Sequence, residues 1–160
     1  MQVFLACPMP PQPSSSAFCS PPVLGIGVLV VDDEPALREG LARLIASAPL
    51  TLRFISTAAN SVQALSAAAR LKPVLVLLDV DLGGEDGLAL VAQLGATARV
   101  LVLTSHGDAV TRRRAAALGA LALVEKDRPA ADLMRVIVDI ALLHSREEAA
   151  PSAKGTFAHL

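Results

Sequence analysis

The sequence predicts an α/β fold in which five parallel strands form one sheet with helices on both faces. Short apolar runs, rich in β-branched residues, alternate along the chain with longer segments that have the 3.6-residue period of helices. The strand-like runs are apolar almost throughout, which is typical of parallel strands that are covered on both faces. Short loops join the segments, so we expect right-handed strand–helix–strand units in a doubly wound sheet.

Ten elements follow one another in this alternation. The predicted strands lie at residues 27–31, 51–56, 74–78, 100–103 and 121–124, and the predicted helices at about 35–47, 60–70, 86–94, 108–117 and 129–144. Five strand–helix pairs in this order favour the flavodoxin-like strand order 2-1-3-4-5.

Residues with helix-ending chemistry stand at the predicted boundaries. Asn60 and Asp108 are suited to cap the second and fourth helices, because their side chains accept hydrogen bonds from free backbone N–H groups. Pro35 stands in a first helical turn, where proline is tolerated. Gly95 and Gly119 stand where the third and fourth helices are expected to end.

We expect one folded domain, at residues 23–144. Residues 1–22 contain six prolines and a run of three serines, a composition that predicts a disordered extension. Residues 145–160 have no helical or strand period and are expected to be a short flexible tail.

The composition excludes several classes of function. The 14 basic and 15 acidic residues are balanced, so the chain has no general basic surface for nucleic acid. We interpret the one basic cluster, residues 112–114, as a solvated helix face. No apolar run is long enough to cross a membrane, and Cys7 and Cys19 alone form neither a disulfide framework nor a metal site. We therefore expect a cytoplasmic protein that binds neither nucleic acid nor membrane directly.

Charged and hydroxyl groups follow four of the five predicted strands. They are Asp32 and Asp33 after the first strand, Asp79 and Asp81 after the third, Thr104 after the fourth and Lys126 after the fifth. Ligands of doubly wound sheets bind beyond the carboxyl ends of the strands, so these groups are expected to meet around a central Asp79. Each residue taken singly is better explained as a helix cap or a solvated side chain, but four strand ends together favour a functional site.

Carboxylates packed at one edge require a cation. Two unit charges about 4 Å apart repel by roughly 4 kcal/mol at an effective dielectric constant near 20. Hard oxygen ligands without a nearby His or Cys suit Mg²⁺ or Mn²⁺. The metal and Lys126 would neutralise charge on a phosphoryl group, and Asp79 would be the nucleophile that accepts it.

These residues resemble the response-regulator receiver family of two-component signalling. The motifs that carry the resemblance are residues 28–35 (VLVVDDEP), residues 77–82 (LLDVDL) followed by Asp86-Gly87, residues 101–105 (LVLTS), and residues 118–120 (LGA) through 124–126 (VEK). The resemblance covers residues 26–144, which is essentially the whole predicted domain.

The resemblance implies a phosphoacceptor role for Asp79, with a histidine kinase or a small phosphodonor as the donor. Mg²⁺ would bind Asp32 or Asp33, with Asp33 favoured as the direct ligand, together with Asp79 and the backbone carbonyl of Asp81. Thr104 would turn to hydrogen-bond the phosphoryl group.

The resemblance also implies that Lys126 pairs with the phosphoryl group. Helix four, strand five and helix five would then change conformation at a partner surface. The implied partners are the histidine kinase and a downstream protein target, or an output domain missing from this sequence. On this basis the chain is a signalling domain rather than an enzyme, although slow self-dephosphorylation is compatible with it.

Three features depart from the family's pattern. The loop after Asp79 has Gly83-Gly84 where the family commonly has proline at the first of these positions, which predicts a more flexible loop. Leu123 stands where the family often has a switch Tyr or Phe, so coupling to Thr104 is expected to be weaker or to follow another route. The passage Lys126-Asp127 is similar to a branch that usually carries helix-turn-helix output domains, and no such domain follows. The chain is therefore a stand-alone receiver or a piece of a longer regulator.

Two other functions stay open. Asp79-Val80-Asp81 also resembles the nucleophile motif of haloacid-dehalogenase phosphatases, although that family's nucleophile lies on the first core strand. The second open function is that of a pseudo-receiver, which binds its partner without phosphorylation.

The fifth predicted helix is apolar over a broad arc. The residues of this arc are Val136, Ile137, Ile140, Ala141 and Leu143. A homodimer through helices four and five and additional core burial explain the arc equally well.

Overall fold

A computed structural model describes residues 25–149, so the predicted disordered extension at residues 1–22 lies outside the described part. The strands are β1 (Ile26–Val31), β2 (Leu52–Ala58), β3 (Leu75–Asp79), β4 (Arg99–Thr104) and β5 (Ala122–Glu125). The helices are α1 (Pro35–Ala46), α2 (Ser61–Leu71), α3 (Val91–Gly95), α4 (Ala109–Ala117) and α5 (Ala130–Ala149). Within residues 25–149, no helix has both the length and the apolar character needed to cross a membrane.

The five strands are parallel and pair in the order β2-β1-β3-β4-β5, which confirms the predicted fold class and strand order. The register pairs Val31 with Leu78, Asp79 with Leu103 and Thr104 with Glu125. Four strands therefore end at nearly the same level. We call this end, where β1, β3, β4 and β5 stop, the carboxyl edge, and the end where the strands begin the amino edge.

Alternate strand residues point into two apolar cores, one on each face of the sheet. One core packs the sheet against α2, α3 and α4, and its buried strand residues include Leu29, Val31, Val76, Leu78, Val100 and Val102. The other packs against α1 and α5 and includes Val28, Val30, Leu75, Leu77, Leu101 and Leu103. Every residue of β1 and β3 is buried, which explains why these strands are continuously apolar up to the carboxyl edge.

The predicted helix boundaries follow local hydrogen bonds. Asn60 caps α2 by accepting from the backbone N–H of Gln63 at 2.9 Å, and Asp108 caps α4 in the same way at Thr111. Gly119 has φ +92° directly after α4, a conformation that glycine adopts without a steric penalty.

Two helices differ from the prediction. The segment predicted as one helix at 86–94 begins as a 3₁₀ turn, Gly87–Leu90, and only then continues as α3. The reason is that the backbone N–H of Gly87 is bonded to the carbonyl of Val80 at 2.7 Å, which holds the start of the segment against the end of β3. Helix α5 extends to Ala149, so the first residues of the predicted tail at 145–160 are helical, and an ion pair of Arg99 with Glu147 supports this last turn.

The loop after β3 is a tight hairpin. Asp81 pairs with Asp86 and Leu82 with Glu85 in antiparallel register. Between them Gly83 and Gly84 have φ +67° and +95°. Two-residue hairpin turns of type I′ need positive φ at both central positions, and two glycines supply it. The Gly-Gly pair therefore gives this loop a defined shape.

Candidate functional site

The carboxyl edge brings together all the side chains that the sequence predicts for the site. Asp32, Asp33, Asp79, Asp81, Thr104 and Lys126 line one open cavity of about 470 Å³. Within the described part of the chain, the buried polar side chains are Asp32, Asp79 and Thr104, and all three belong to this edge. Polar burial is therefore concentrated at the predicted site.

Lys126 joins the two buried aspartates. Its Nζ atom lies 2.9 Å from Oδ2 of Asp32 and 2.6 Å from Oδ2 of Asp79. The lysine side chain is 18% exposed, so these bonds form largely away from water. An unpaired buried charge costs several kcal/mol, which explains why an ammonium group lies between the two carboxylates.

Burial and charge perturb the titration of this pair. Burial raises the pKa of the Asp79 carboxyl, and the nearby Asp32 charge adds to the rise, while the Lys126 ammonium opposes both effects. Burial acts to lower the pKa of Lys126, but its hydrogen bonds to Asp79 and Asp32 outweigh burial, and the pKa is raised. Lys126 is therefore held in its charged form between the two acids.

Asp32 fixes the chain after β1 by hydrogen bonds, whereas Asp33 forms none within residues 25–149. Oδ1 of Asp32 accepts from the backbone N–H of Glu34 at 2.9 Å, and its carbonyl accepts from Arg38 at 2.6 Å. Glu34 occupies the N-cap position of α1 but forms no side-chain capping bond. Asp33 is exposed and forms no hydrogen bond within residues 25–149. Helix capping therefore does not explain the acidic run.

Asp81 uses its side chain in the hairpin and points its backbone towards the site. Its Oδ1 accepts from the backbone N–H of Gly84 at 3.0 Å, and its own N–H donates to Oδ1 of Asp79 at 3.3 Å. The predicted contribution of Asp81 to a metal site is its backbone carbonyl, and this arrangement is compatible with it. The side chain is already engaged in the turn.

Gly87 belongs to the Asp86-Gly87 motif, and the sequence alone gave it no role at the site. A Cβ atom at this position would lie 1.9 Å from the backbone carbonyl oxygen of Asp79. The backbone must pass this close because Gly87 is bonded to Val80 at the end of β3. The Asp86-Gly87 dipeptide was the available signal, but only the folded chain brings it against Asp79.

Carboxylate oxygens of three residues are grouped closely enough to share a cation. One oxygen each from Asp32, Asp33 and Asp79 lies within 4.8 Å of the others. This donor set contains oxygen only, which suits Mg²⁺ or Mn²⁺ rather than zinc. Asp33 is exposed whereas the other two are buried, so one side of the cluster is open to solvent or to a ligand.

Thr104 is held by the loop that follows β4. Its hydroxyl accepts from the backbone N–H of His106 and donates to the backbone carbonyl of the same residue, both at 3.1 Å. This loop and the start of α4 also bring to the cavity Ser105, which belongs to the fourth-strand motif, and Asp108, which was predicted only as a helix cap. His106 and Thr111 line the cavity as well and were given no role from the sequence. No sequence pattern indicated these two residues.

The arginines at residues 112–114 are exposed, as predicted, but two of them also form ion pairs. Arg112 pairs with Glu125 on β5, and Arg114 pairs with Asp86 beside the hairpin. Arg113 forms no ion pair with any residue of the described chain. Helix α4 is thus connected by charge to both of its neighbours.

Known proteins are similar to this chain in sequence and in fold. The family model of the response regulator receiver domain matches residues 28–138, well over half of the chain. The nitrate/nitrite response regulator protein NarL of Escherichia coli K12 is 33% identical over 116 residues, which are 69% of this chain and 52% of NarL. The chain spans about half or less of the length of the curated relatives it matches.

Two solved structures show the same likeness. A LuxR-family two-component response regulator from Aurantimonas superposes with a TM-score of 0.68 at 28% identity, covering 74% of this chain and 86% of that one. A response regulator from Burkholderia pseudomallei, solved with a phosphorylated aspartic acid, a calcium ion and citrate, gives a TM-score of 0.64 at 28% identity, covering 78% and 73%.

The position of Asp79 separates this chain from the phosphatase alternative. In the haloacid-dehalogenase pattern considered above, the nucleophile lies on the first core strand, whereas Asp79 ends β3 and the acidic pair precedes it on β1. The order of the motifs, the strand order and the family match agree. The chain belongs to the response regulator receiver domain family, a family of signalling domains.

Proposed function

We propose that this chain is a response regulator receiver that accepts a phosphoryl group on Asp79 from a histidine kinase. The observation that carries the proposal is the position of the Asp79 carboxylate. It is buried at the centre of the carboxyl edge, 2.6 Å from the Lys126 ammonium and grouped with the oxygens of Asp32 and Asp33. A carboxylate so placed can act as a nucleophile, with the Lys126 ammonium and a cation held by the three carboxylates to neutralise phosphoryl charge.

In the proposed transfer, one oxygen of Asp79 attacks the phosphorus of a phosphohistidine or of a small acyl phosphate. A new O–P bond forms as the bond from phosphorus to the donor breaks, and the donor leaves with the bonding electron pair. Lys126 donates to a phosphoryl oxygen from its position beside Asp79. Thr104 supplies a second donor at the neighbouring strand end. Hydrolysis of the acyl phosphate by water returns the Asp79 carboxylate and releases inorganic phosphate.

The proposed cofactor is Mg²⁺, with Mn²⁺ as its substitute. Asp33, Asp32 and Asp79 would hold it, together with the backbone carbonyl of Asp81, and Asp33 is favoured as a direct ligand because it has no other partner within the described chain. The bound metal supplies positive charge that neutralises the phosphoryl oxygens. The phosphorylated aspartic acid and the cation in the Burkholderia pseudomallei regulator support this assignment.

The proposed output is a change of the surface formed by α4, β5 and α5. The partner is a downstream protein, or an output domain elsewhere in a longer protein, since the curated relatives extend beyond the region they share with this chain. Leu142 and Leu143 on α5 are about half exposed, and Val110 on α4 is more so, which supports association through these helices. A cytoplasmic location and a homodimer through helices four and five are parts of this proposal.

Intact-mass measurement tests the acceptor. Wild-type protein incubated with Mg²⁺ and acetyl phosphate is expected to gain one phosphoryl group, and Asp79→Ala is expected to gain none. Asp139→Ala, which removes an exposed carboxylate from α5, serves as the matched control and should react like wild type. Uptake by Asp79→Ala would reject the assigned acceptor. A wild type that takes up nothing under saturating donor, yet binds its partner, would make the chain a pseudo-receiver instead.

A further inference from the structure

The hydroxyl of Thr104 has one hydrogen, and that hydrogen is engaged. It is donated to the backbone carbonyl of His106 at 3.1 Å. A hydroxyl donates to only one acceptor at a time, so Thr104 cannot serve a phosphoryl oxygen and His106 together. Donation towards Asp79 therefore requires release of the His106 carbonyl, which removes a bond that holds the loop between β4 and α4.

This loop is connected to α4 and β5 by one arginine. Nε of Arg112 donates to the backbone carbonyl of Gly107 at 2.9 Å, and Nη2 of the same guanidinium pairs with the carboxylate of Glu125. Gly107 lies directly against this pair. A Cβ atom built on Gly107 would be 2.2 Å from Oε1 of Glu125 and 2.8 Å from Nη2 of Arg112.

Glu125 is also linked to Thr104 through the pairing of β4 with β5. Glu125 is the register partner of Thr104, and the backbone N–H of Lys126 donates to the Thr104 carbonyl at 2.8 Å. The contacts thus form a closed path from the Thr104 hydroxyl through the loop and Arg112 to β5. Leu123, two residues before Glu125, has no aromatic ring that would follow Thr104.

We propose that Arg112 is a positioning residue that couples the Thr104 hydroxyl to the α4–β5 surface. The inference rests on the proposed function and names the route by which its signal leaves the site. When Thr104 releases His106, the loop shifts and Gly107 moves with it. Arg112 holds both Gly107 and Glu125, so the shift is transmitted to the first turn of α4 and to the end of β5.

The surface that changes is a shallow cleft beside this ion pair. Its lining residues include Arg112, Leu123, Glu125, Arg128, Asp132 and Val136, which come from α4, β5, α5 and the connection before α5. Movement of the guanidinium therefore alters both the shape and the charge of a surface on the partner-facing side of the domain.

Three substitutions separate coupling from structural support. Gly107→Ala removes no charged group. Gly107 is not among the glycines with positive φ, so its backbone conformation does not disfavour alanine. The added methyl group meets side-chain atoms only, namely Oε1 and Cγ of Glu125 and Nη2 of Arg112, so it displaces these two side chains and no backbone. Arg112→Lys keeps the charge but loses the planar fork that binds two acceptors at once. Arg113→Ala removes an unpaired neighbour on the same helix and is the matched control.

The experiment compares amide hydrogen exchange with and without acetyl phosphate and Mg²⁺. All variants are expected to take up one phosphoryl group and to respond at residues 105–107. At residues 109–112 and 122–125, the phosphorylation-dependent change should fall about two- to five-fold in Gly107→Ala and Arg112→Lys, since a partly exposed ion pair is worth up to about 1 kcal/mol. Arg113→Ala should respond like wild type.

The outcomes distinguish the two proposals. If wild type takes up the phosphoryl group and both variants transmit a full response to α4 and β5, the coupling role of Arg112 is overturned while the proposed function stands. A wild type that is phosphorylated but shows no change at α4 overturns the coupling as well. If wild type takes up no phosphoryl group, the proposed function itself fails, and the coupling fails with it.

Discussion

The two edges of the same sheet have opposite chemistry. At the carboxyl edge, Asp32, Asp79 and Thr104 are buried, and the ammonium of Lys126 lies between the two acids. At the amino edge, the charged pair of Arg99 with Glu147 has side chains that are 25% and 64% exposed. Both edges terminate the same parallel strands, so strand geometry alone does not account for the difference.

The amino edge is closed by backbone hydrogen bonds. The N–H of Val74 donates to the carbonyl of Gly27, the N–H of Arg99 to that of Val74, and the N–H of Leu121 to that of Val100. These bonds satisfy the backbone without placing any charged group in the interior. We expect an edge that serves stability alone to be closed in this way, by backbone hydrogen bonds and without buried charge.

The carboxyl edge departs from that form because charges are buried there. Two carboxylates and one ammonium are removed from water, although apolar side chains of similar volume would often be at least as stable. Buried charge that stability does not require indicates a function, and such sites are commonly destabilising. Stability alone therefore does not account for the carboxyl edge, which agrees with the function proposed for it, and the apolar cores on both faces of the sheet support its buried charges.

The largest effect on stability is expected when the Lys126 ammonium is removed from the carboxyl edge. Lys126→Ala leaves Asp32 and Asp79 buried without their shared partner, and in the absence of divalent metal the free energy of unfolding should fall by on the order of 3 kcal/mol. Urea denaturation at neutral pH measures this. Replacing Asp79 by Asn in the same background should restore part of the loss, because one of the two unpaired charges is gone.

Lys126→Ala is expected to lower the free energy of unfolding by more than Arg99→Ala does. Equal losses at the two ends of the sheet would mean that burial of the charges at the carboxyl edge has no special energetic consequence.

An intermediate effect is expected from metal. The proposed binding of Mg²⁺ to the folded carboxyl edge should raise the free energy of unfolding of wild type by about 1.4 kcal/mol when the free Mg²⁺ concentration is ten times the Kd. Asp33→Ala should lose most of this stabilisation. Asp33 is exposed, so its removal should change stability little when no metal is present.

Arg99→Ala changes the amino edge only and is the control for the metal effect. Mg²⁺ should raise its free energy of unfolding as much as that of wild type. Full stabilisation of Asp33→Ala by Mg²⁺ would contradict the placement of the metal at Asp33.

The smallest effect is expected at the amino edge. Arg99→Ala removes an ion pair whose glutamate is largely solvated, so the free energy of unfolding should fall by less than about 1 kcal/mol. The loss should shrink further at high salt, which screens exposed charges. Thermal or urea unfolding at two salt concentrations measures both. A loss as large as that of Lys126→Ala would show that Arg99 supports the sheet in a way that its exposure does not reveal.

The fold class and the strand order could be predicted from the sequence alone, and the sequence also indicated the edge of the sheet at which the candidate residues lie. Continuously apolar, β-branched runs separated by helical periods permit few arrangements other than a parallel, doubly wound sheet. Caps such as Asn60 could also be predicted, because the Asn60 side chain reaches a backbone N–H only three residues away. Residues that follow strand ends could be assigned to one edge because parallel strands share a direction.

Only the tertiary structure decided which groups touch. Lys126 is 94 residues from Asp32 and 47 from Asp79, so their hydrogen bonds depend on how the whole sheet packs. The same holds for Gly87 against Asp79, and for Arg112 between Gly107 and Glu125. Sequence periodicity reports which face of an element a residue lies on. Contact distances between distant segments are set by packing of the two cores, which no local pattern encodes.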